Sequence, residues 1–240
     1  MKLDVIAFGA HPDDVELAMG GTVARLVKEG KKVGVIDLTR GEMGSRGSAE
    51  IRDAEAEKAK AILGIAIREN LNHLDCKVKP SEELIKKIII SIRKYKPEII
   101  FAPHKHDRHP DHTGAAEAIK NAWFLSGVYK YETEYQGDKQ EPYRPKKLYY
   151  FAQSWEFEPS FIVDISDTFN IKMEAVKAYS SQFHNPEVEG PVTYISHPGF
   201  IKYLESRSQV AGFKIGKDYG EPFYCDEKIE LDLKNLLLES

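Results

Sequence analysis

Imidazole and carboxylate side chains crowd two short stretches of this chain. Gly9-Ala10-His11-Pro12-Asp13-Asp14 follows the apolar run Leu3-Asp4-Val5-Ile6-Ala7-Phe8, and His104-Lys105-His106-Asp107-Arg108-His109-Pro110-Asp111-His112 follows Glu98-Ile99-Ile100-Phe101-Ala102-Pro103. A metal explains such crowding best. His11 and Asp14 flank a strand-to-helix turn and can converge on one ion, with His112 as the third ligand. Neutral imidazole and carboxylate suit zinc, whose catalytic sites keep a coordination position open for water and acidify that water toward neutrality. Asp13 cannot easily share a compact ligand set with Asp14, but it can take the proton as general base. His109, on the same helical start as His112, is then free to act as an acid toward a leaving nitrogen, with Asp111 holding its ring. Either cluster alone could be helix caps and a polar helix turn. Two such clusters on two strand ends favour a shared functional site.

The elements that must position these groups alternate regularly. Hydrophobic spacing predicts a helix from Val15 to Glu29 with Gly30 as its stop, a buried strand over Val33 to Leu38, and a glycine-rich loop from Thr39 to Gly47. A helix over Ala49 to Leu63 follows, which puts Arg52 on its first turn. Ser81 opens a helix to about Tyr95, a strand ends at Ala102, and Pro110 to Leu125 reads as a helix. The expected fold is α/β: a single Rossmann-like domain, residues 1–240, with a mostly parallel sheet flanked by helices. Ligands in such sheets bind beyond the carboxyl ends of the strands, where both clusters lie. Tyr129 to Lys147 is expected to be a long loop bordering the site. Beyond it come strands over Lys146 to Ala152 and Phe161 to Ile165, a helix from about Asp167 to Phe183, an irregular stretch through Pro198 and a helix toward Ala211. This C-terminal part is expected to complete the pocket.

With 240 residues, 42% of them hydrophobic, the chain can bury one substantial core. Its net charge of −4, without a basic arm, argues against nucleic acid. No apolar run approaches the roughly 18 residues of a membrane span, and the chain enters a strand at once, so a cytoplasmic protein is expected. A homo-oligomer acting on a small molecule is the expected state. Cys76 and Cys225 form no C-x-x-C pair and read as free thiols. His73, His184 and His197 read as structural, while His104 and His106 could support the site from behind. A dinucleotide enzyme is disfavoured, because the first loop lacks G-x-G-x-x-G and carries carboxylates where a pyrophosphate would need bare amides. A non-catalytic sugar- or metal-binding module would need neither a spare base nor a spare acid. A hydrolase of another amide or ester stays open.

Both clusters resemble the signatures A-H-P-D-D and H-P-D-H of the LmbE-like (PIG-L-like) zinc-dependent N-acetylglucosamine deacetylases. The flanking residues, Leu3 through Glu16 and Asp107 through His112, are similar to the bacillithiol-pathway branch, which deacetylates N-acetylglucosaminyl malate. The resemblance implies zinc on His11, Asp14 and His112, Asp13 as general base, His109 as acid or electrostatic partner, and Arg52 as a substrate contact. Arg108, directly before His109, is a second candidate for gripping an anionic aglycone, since a guanidinium can hold a carboxylate in two parallel bonds. Some relatives place a tyrosine near the C-terminus to stabilise the oxyanion. Here Phe200 occupies the aligned position, so Tyr194, Ser196 or His197 could take that place, or the zinc alone could polarise the carbonyl, and Tyr194 is the candidate carried forward.

Overall fold

The computed structural model describes residues 1–184 and 191–230. In chain order the elements are β1 (Val5–Gly9), α1 (Asp14–Lys28), β2 (Val33–Thr39), α2 (Ala49–Leu63), β3 (Ile67–His73), α3 (Glu82–Tyr95), β4 (Ile99–Pro103) and α4 (Pro110–Ser126). They continue with β5 (Glu134–Tyr135), β6 (Asp138–Lys139), β7 (Lys147–Phe151), β8 (Phe161–Asp164), α5 (Phe169–Lys177), α6 (Phe200–Phe213) and β9 (Gly220–Tyr224). One seven-stranded sheet runs in the order β3-β2-β1-β4-β7-β9-β8. Five neighbouring strands, β3 to β7 in that order, pair in parallel, and β9 pairs antiparallel with both β7 and β8. The sheet is therefore mostly parallel and flanked by helices, as its alternating pattern requires.

Alternation along the strands sorts their side chains into two apolar layers. Val5, Ala7, Val33 and Val35 face α1, α2 and α5. Ile6, Phe8, Ile36 and Leu38 face α3 and α4. Helices Ala49–Leu63 and Glu82–Tyr95 begin as their sequences predict, each with a serine cap: Ser48 Oγ accepts from Ile51 N, and Ser81 Oγ accepts from Leu84 N.

Helix α1 is bent at Met19, where φ is −141° and ψ 20°. The amides freed by the bend find their acceptor far away in sequence. Glu221 on β9 accepts from Gly21 N at 3.0 Å and from Thr22 N at 2.7 Å, and it is paired with the Lys172 ammonium at 2.7 Å. Lys172 and Glu221 are each only 1% exposed, so the C-terminal strand caps an N-terminal helix inside the core.

Several elements depart from the sequence expectation. Strand β3 is a half-exposed edge whose polar residues carry no apolar run, and β9 contains Gly220 and Pro222, which read as a turn. Helix α5 ends at Lys177 rather than Phe183, because Glu55 captures Ser181 N at 2.7 Å and Ser181 Oγ at 2.8 Å and draws the chain out of the helix. The segment 129–147 does not border the site. Arg93 donates to Tyr131 O and Val128 O, Gln140 to Ile90 O, and Tyr143 to Pro97 O, which fastens the segment to α3 and to the approach to β4, at the opposite edge of the sheet.

Candidate active site

Adjacent strands β1 and β4 deliver the two clusters to one edge. After β1 the chain turns within Gly9 to Asp13. A Cβ on Gly9 would sit 2.9 Å from His11 O, and Asp13 adopts φ 108° before Asp13 O receives Leu17 N to begin α1. Asp14 folds back to accept His11 N at 2.9 Å, which fixes the Asp14 carboxylate. After β4, Asp107 organises the second cluster. Its Oδ1 accepts from His109 N and His112 Nδ1, and its Oδ2 accepts from Ser154 N and Trp155 N. Pro110 then occupies the first position of α4, where a missing N–H costs nothing.

These turns bring His11, Asp14 and His112 together. One donor atom from each lies within 4.8 Å of the other two. His11 Nδ1 stands 3.7 Å from Asp14 Oδ2, and His112 Nε2 stands 3.2 Å from Asp14 Oδ1. The opposite ring nitrogens are held by further carboxylates. His11 Nε2 faces Asp75 Oδ1 at 3.1 Å and Asp111 Oδ2 at 3.4 Å, while His112 Nδ1 faces Asp107 Oδ1 at 2.7 Å. Outer carboxylates that fix ring and tautomer are the usual support of metal-ligating histidines. The donor set of two imidazoles and one carboxylate fits a divalent ion such as zinc.

The electrostatics agree with a cationic occupant. Burial opposes charge on His112, but Asp14 and Asp107 raise its pKa to about 9. His11 likewise stays well above the usual imidazole range, against burial, through Asp111, Asp14 and Asp75. Asp14 is held well below the carboxylate range, mainly by His112 acting against burial. Positive charge is therefore favoured at the point where the three side chains meet.

Asp13 stands beside this cluster with a different environment. Burial raises its carboxyl to about 7, opposed by Arg52 and assisted by Asp14. Arg52, expected as a substrate contact, is buried, lines the cavity beside the cluster and grips Asp13. Its Nη2 donates to Asp13 Oδ2 at 3.0 Å and to Pro12 O, and its Nη1 donates to Gly41 O. Gly41 permits this approach at φ +66°, since a Cβ there would lie 2.0 Å from Arg52 Nη1.

His109 packs edge-on against His11 with centroids 4.9 Å apart, and burial together with His11 and His112 lowers its pKa. The expectation that the Asp111 carboxylate holds this ring is replaced by another contact. Asp111 N donates to His109 Nδ1, which leaves Nε2 as the proton-bearing nitrogen, while the Asp111 carboxylate accepts from Cys76 N and Val78 N.

A cavity of about 230 Å³ opens onto the cluster. Arg108 lines it with its guanidinium 4.8 Å from the Tyr194 ring, and Tyr194 itself lies on the wall beside Phe200. Ser196 is buried and bonded to Thr193, and His197 Nδ1 accepts from Gly199 N, so of the three oxyanion candidates Tyr194 alone lines this cavity. His104 packs among Phe157, Tyr224 and Tyr150, and His106 rests on Trp155. His73 Nε2 faces Lys77 O. Sequence reasoning missed Asp75, which depends on the unread strand β3. It also gave Asp107 no role, although its place in Asp107-Arg108-His109-Pro110-Asp111-His112 was visible. Gln153 and Arg207 on the cavity wall gave no sequence signal.

Comparison with known proteins places this geometry. The family described as PIG-L, GlcNAc-PI de-N-acetylase, matches residues 6–123. Diacetylchitobiose deacetylase of Thermococcus kodakarensis is 30% identical over 189 residues, covering 75% of this chain and 70% of that protein. A conserved protein from Thermus thermophilus superposes with TM-score 0.86 at 36% identity, covering 96% of this chain and 98% of that one. The N,N'-diacetylchitobiose deacetylase of Pyrococcus horikoshii superposes with TM-score 0.78 at 26% identity, covering 91% of this chain and 82% of that one. With its signature residues gathered at one end of the shared sheet, the chain belongs to the PIG-L (LmbE-like) family and is an N-deacetylase.

Proposed function

We propose that this enzyme is a zinc-dependent hydrolase that removes the N-acetyl group from N-acetylglucosaminyl L-malate, in bacillithiol biosynthesis. One observation carries the reading: the His11, Asp14 and His112 donor set converges in a small cavity, with a separately held carboxylate, Asp13, beside it. His11, Asp14 and His112 would hold the ion, which supplies Lewis acidity toward water and the acetyl carbonyl. Asp13 accepts the proton of the attacking water and, with its raised pKa, can return it to the leaving nitrogen. Arg52 keeps Asp13 in place through its bond to Oδ2. His109, neutral and protonated on Nε2, donates a hydrogen bond to the oxygen that gains charge, and Tyr194 is the second candidate for that task.

The anionic aglycone is supported by Arg108, which lines the cavity and has no carboxylate within 4.0 Å among the described residues. The single continuous sheet supports reading residues 1–240 as one domain. A cytoplasmic location and a homo-oligomeric state belong to the same proposal. Among the described residues no helix is long and apolar enough to cross a membrane.

Acetate release tests the reading. The zinc-loaded enzyme is expected to hydrolyse N-acetylglucosaminyl L-malate with a kcat/KM well above that for methyl N-acetylglucosaminide or N,N'-diacetylchitobiose. Preference for chitobiose would move the substrate toward that of the archaeal relatives, and absence of acetate from all three would overturn the proposal.

A further inference from the structure

Two groups in the cavity wall have no role in the scheme above. Gln153 follows β7 and is 9% exposed, yet its Nε2 is buried without a hydrogen-bond partner among the described residues. An orphaned buried amide costs free energy that a ligand acceptor would recover. The residue is not adrift. Gln153 O accepts from Arg207 Nη1, and the next two amides, Ser154 N and Trp155 N, are pinned by Asp107.

Arg207, on α6, is the second group. Its terminal nitrogens donate to Gln153 O and Leu17 O, both neutral carbonyls, and no carboxylate lies within 4.0 Å of it among the described residues. Each of those nitrogens keeps a further N–H. Glu221, the carboxylate of this region, is committed to Lys172 and to the α1 amides. Burial lowers Lys172 from the usual ammonium range, and Arg207 lowers it further against the opposing effect of Glu221. Arg108 reaches the same cavity from the β4 side, and Tyr194 lies within electrostatic reach of both arginines.

We propose that Gln153 and Arg207 form a subsite for a carboxylate on the substrate, working with Arg108 across Tyr194. This rests on the deacetylase reading above and deepens it by assigning the residues that choose an anionic aglycone. A carboxylate offers two oxygens in one plane, which suits an amide donor beside a guanidinium.

The test compares N-acetylglucosaminyl L-malate with methyl N-acetylglucosaminide. Gln153→Met keeps length and volume while removing the donor, and Gln153→Glu sets a negative charge against the carboxylate. The kcat/KM ratio of charged over neutral glycoside is expected to fall about tenfold in Gln153→Met and further in Gln153→Glu. Thermal stability of Gln153→Met should equal or exceed the parent's, since an orphaned amide is removed. A ratio unchanged in both folded variants overturns the subsite, as does a parent enzyme that hydrolyses both glycosides equally. Calorimetric binding of the malate glycoside to metal-free protein separates the two readings. Binding weakened about tenfold by Gln153→Met, without acetate release from the parent, would sustain the subsite and sink the deacetylation scheme. Equal binding by parent and variant would sink the subsite.

Discussion

Asp107→Asn isolates the support behind the proposed metal ligands. The substitution keeps shape and volume but removes the charge, and an amide can accept on one side only. Asp107 now accepts from His112 Nδ1 at 2.7 Å and His109 N at 3.0 Å through one oxygen, and from Ser154 N at 2.7 Å and Trp155 N at 3.3 Å through the other. Whichever way the asparagine turns, one of these pairs loses its acceptor. Loss of a carboxylate behind a ligating histidine typically weakens metal binding about 10-fold to 100-fold, and that is the expected rise in the zinc Kd. An orphaned buried N–H costs about 1–3 kcal/mol, so the metal-free protein should also lose stability of that order. Zinc affinity would be measured by competition with a chromophoric chelator, and stability by urea unfolding of the metal-free protein. The His112 pKa in the metal-free variant, read by NMR, should fall below the parent's value of about 9. A zinc Kd within about threefold of the parent, together with an unchanged urea midpoint, would refute the assignment.

Asp13→Asn should retain zinc and the positive-φ turn, which asparagine tolerates, while kcat falls about 100-fold or more; a near-parental kcat at full zinc occupancy would exclude Asp13 as base. Because the folded pKa of His112 in metal-free protein is raised to about 9, its stabilising contribution is complete below the unfolded value near 6.5 and is lost as pH rises through 9. Urea midpoints of the metal-free protein should therefore decline across that window, and a decline equally steep in His112→Asn would assign it to another group. Zinc uptake at neutral pH must displace protons from His11 and His112, so calorimetric heats should depend on the ionisation enthalpy of the buffer; heats independent of buffer would contradict the raised imidazole pKa values. Glu221→Gln should cost about 3–5 kcal/mol by leaving Lys172 buried without its counter-charge, and Lys172→Met in the same chain should recover part of it; a loss below about 1 kcal/mol would show the pair to be dispensable.

The proposed metal ligands and base were legible because their chemistry is dense in sequence and follows apolar runs whose burial is easy to read. Strands β1, β2 and β4 are buried on both faces, so unbroken hydrophobic runs announced them. Strand β3 was silent because its polar side chains are spent on partners, with Arg68 on Asp37 and Glu69 on Lys94. Asp75 vanished with it. Arg52 was located correctly on the first turn of α2, but its direction depends on Gly41 leaving room, which no helical pattern encodes. Gln153 and Arg207 became visible only when tertiary structure set one beside the other. The segment 129–147 was misplaced because polarity and aromatic content mark a surface loop without saying at which end of the sheet it lies.

The capping of α1 by Glu221 also constrains the order in which the chain can be finished. Glu221 and Gly21 are separated by 200 positions, and α1 begins at Asp14, one of the metal-binding candidates. A nascent chain leaving the ribosome can form β1, β2 and their helices early, yet the amides exposed at the Met19 bend stay unmet until β9 has been synthesised. Such long-range closure slows folding relative to local contacts. The deacetylase centre should thus mature late, after release of the C-terminal strand, although its first signature, at His11, is synthesised long before β9.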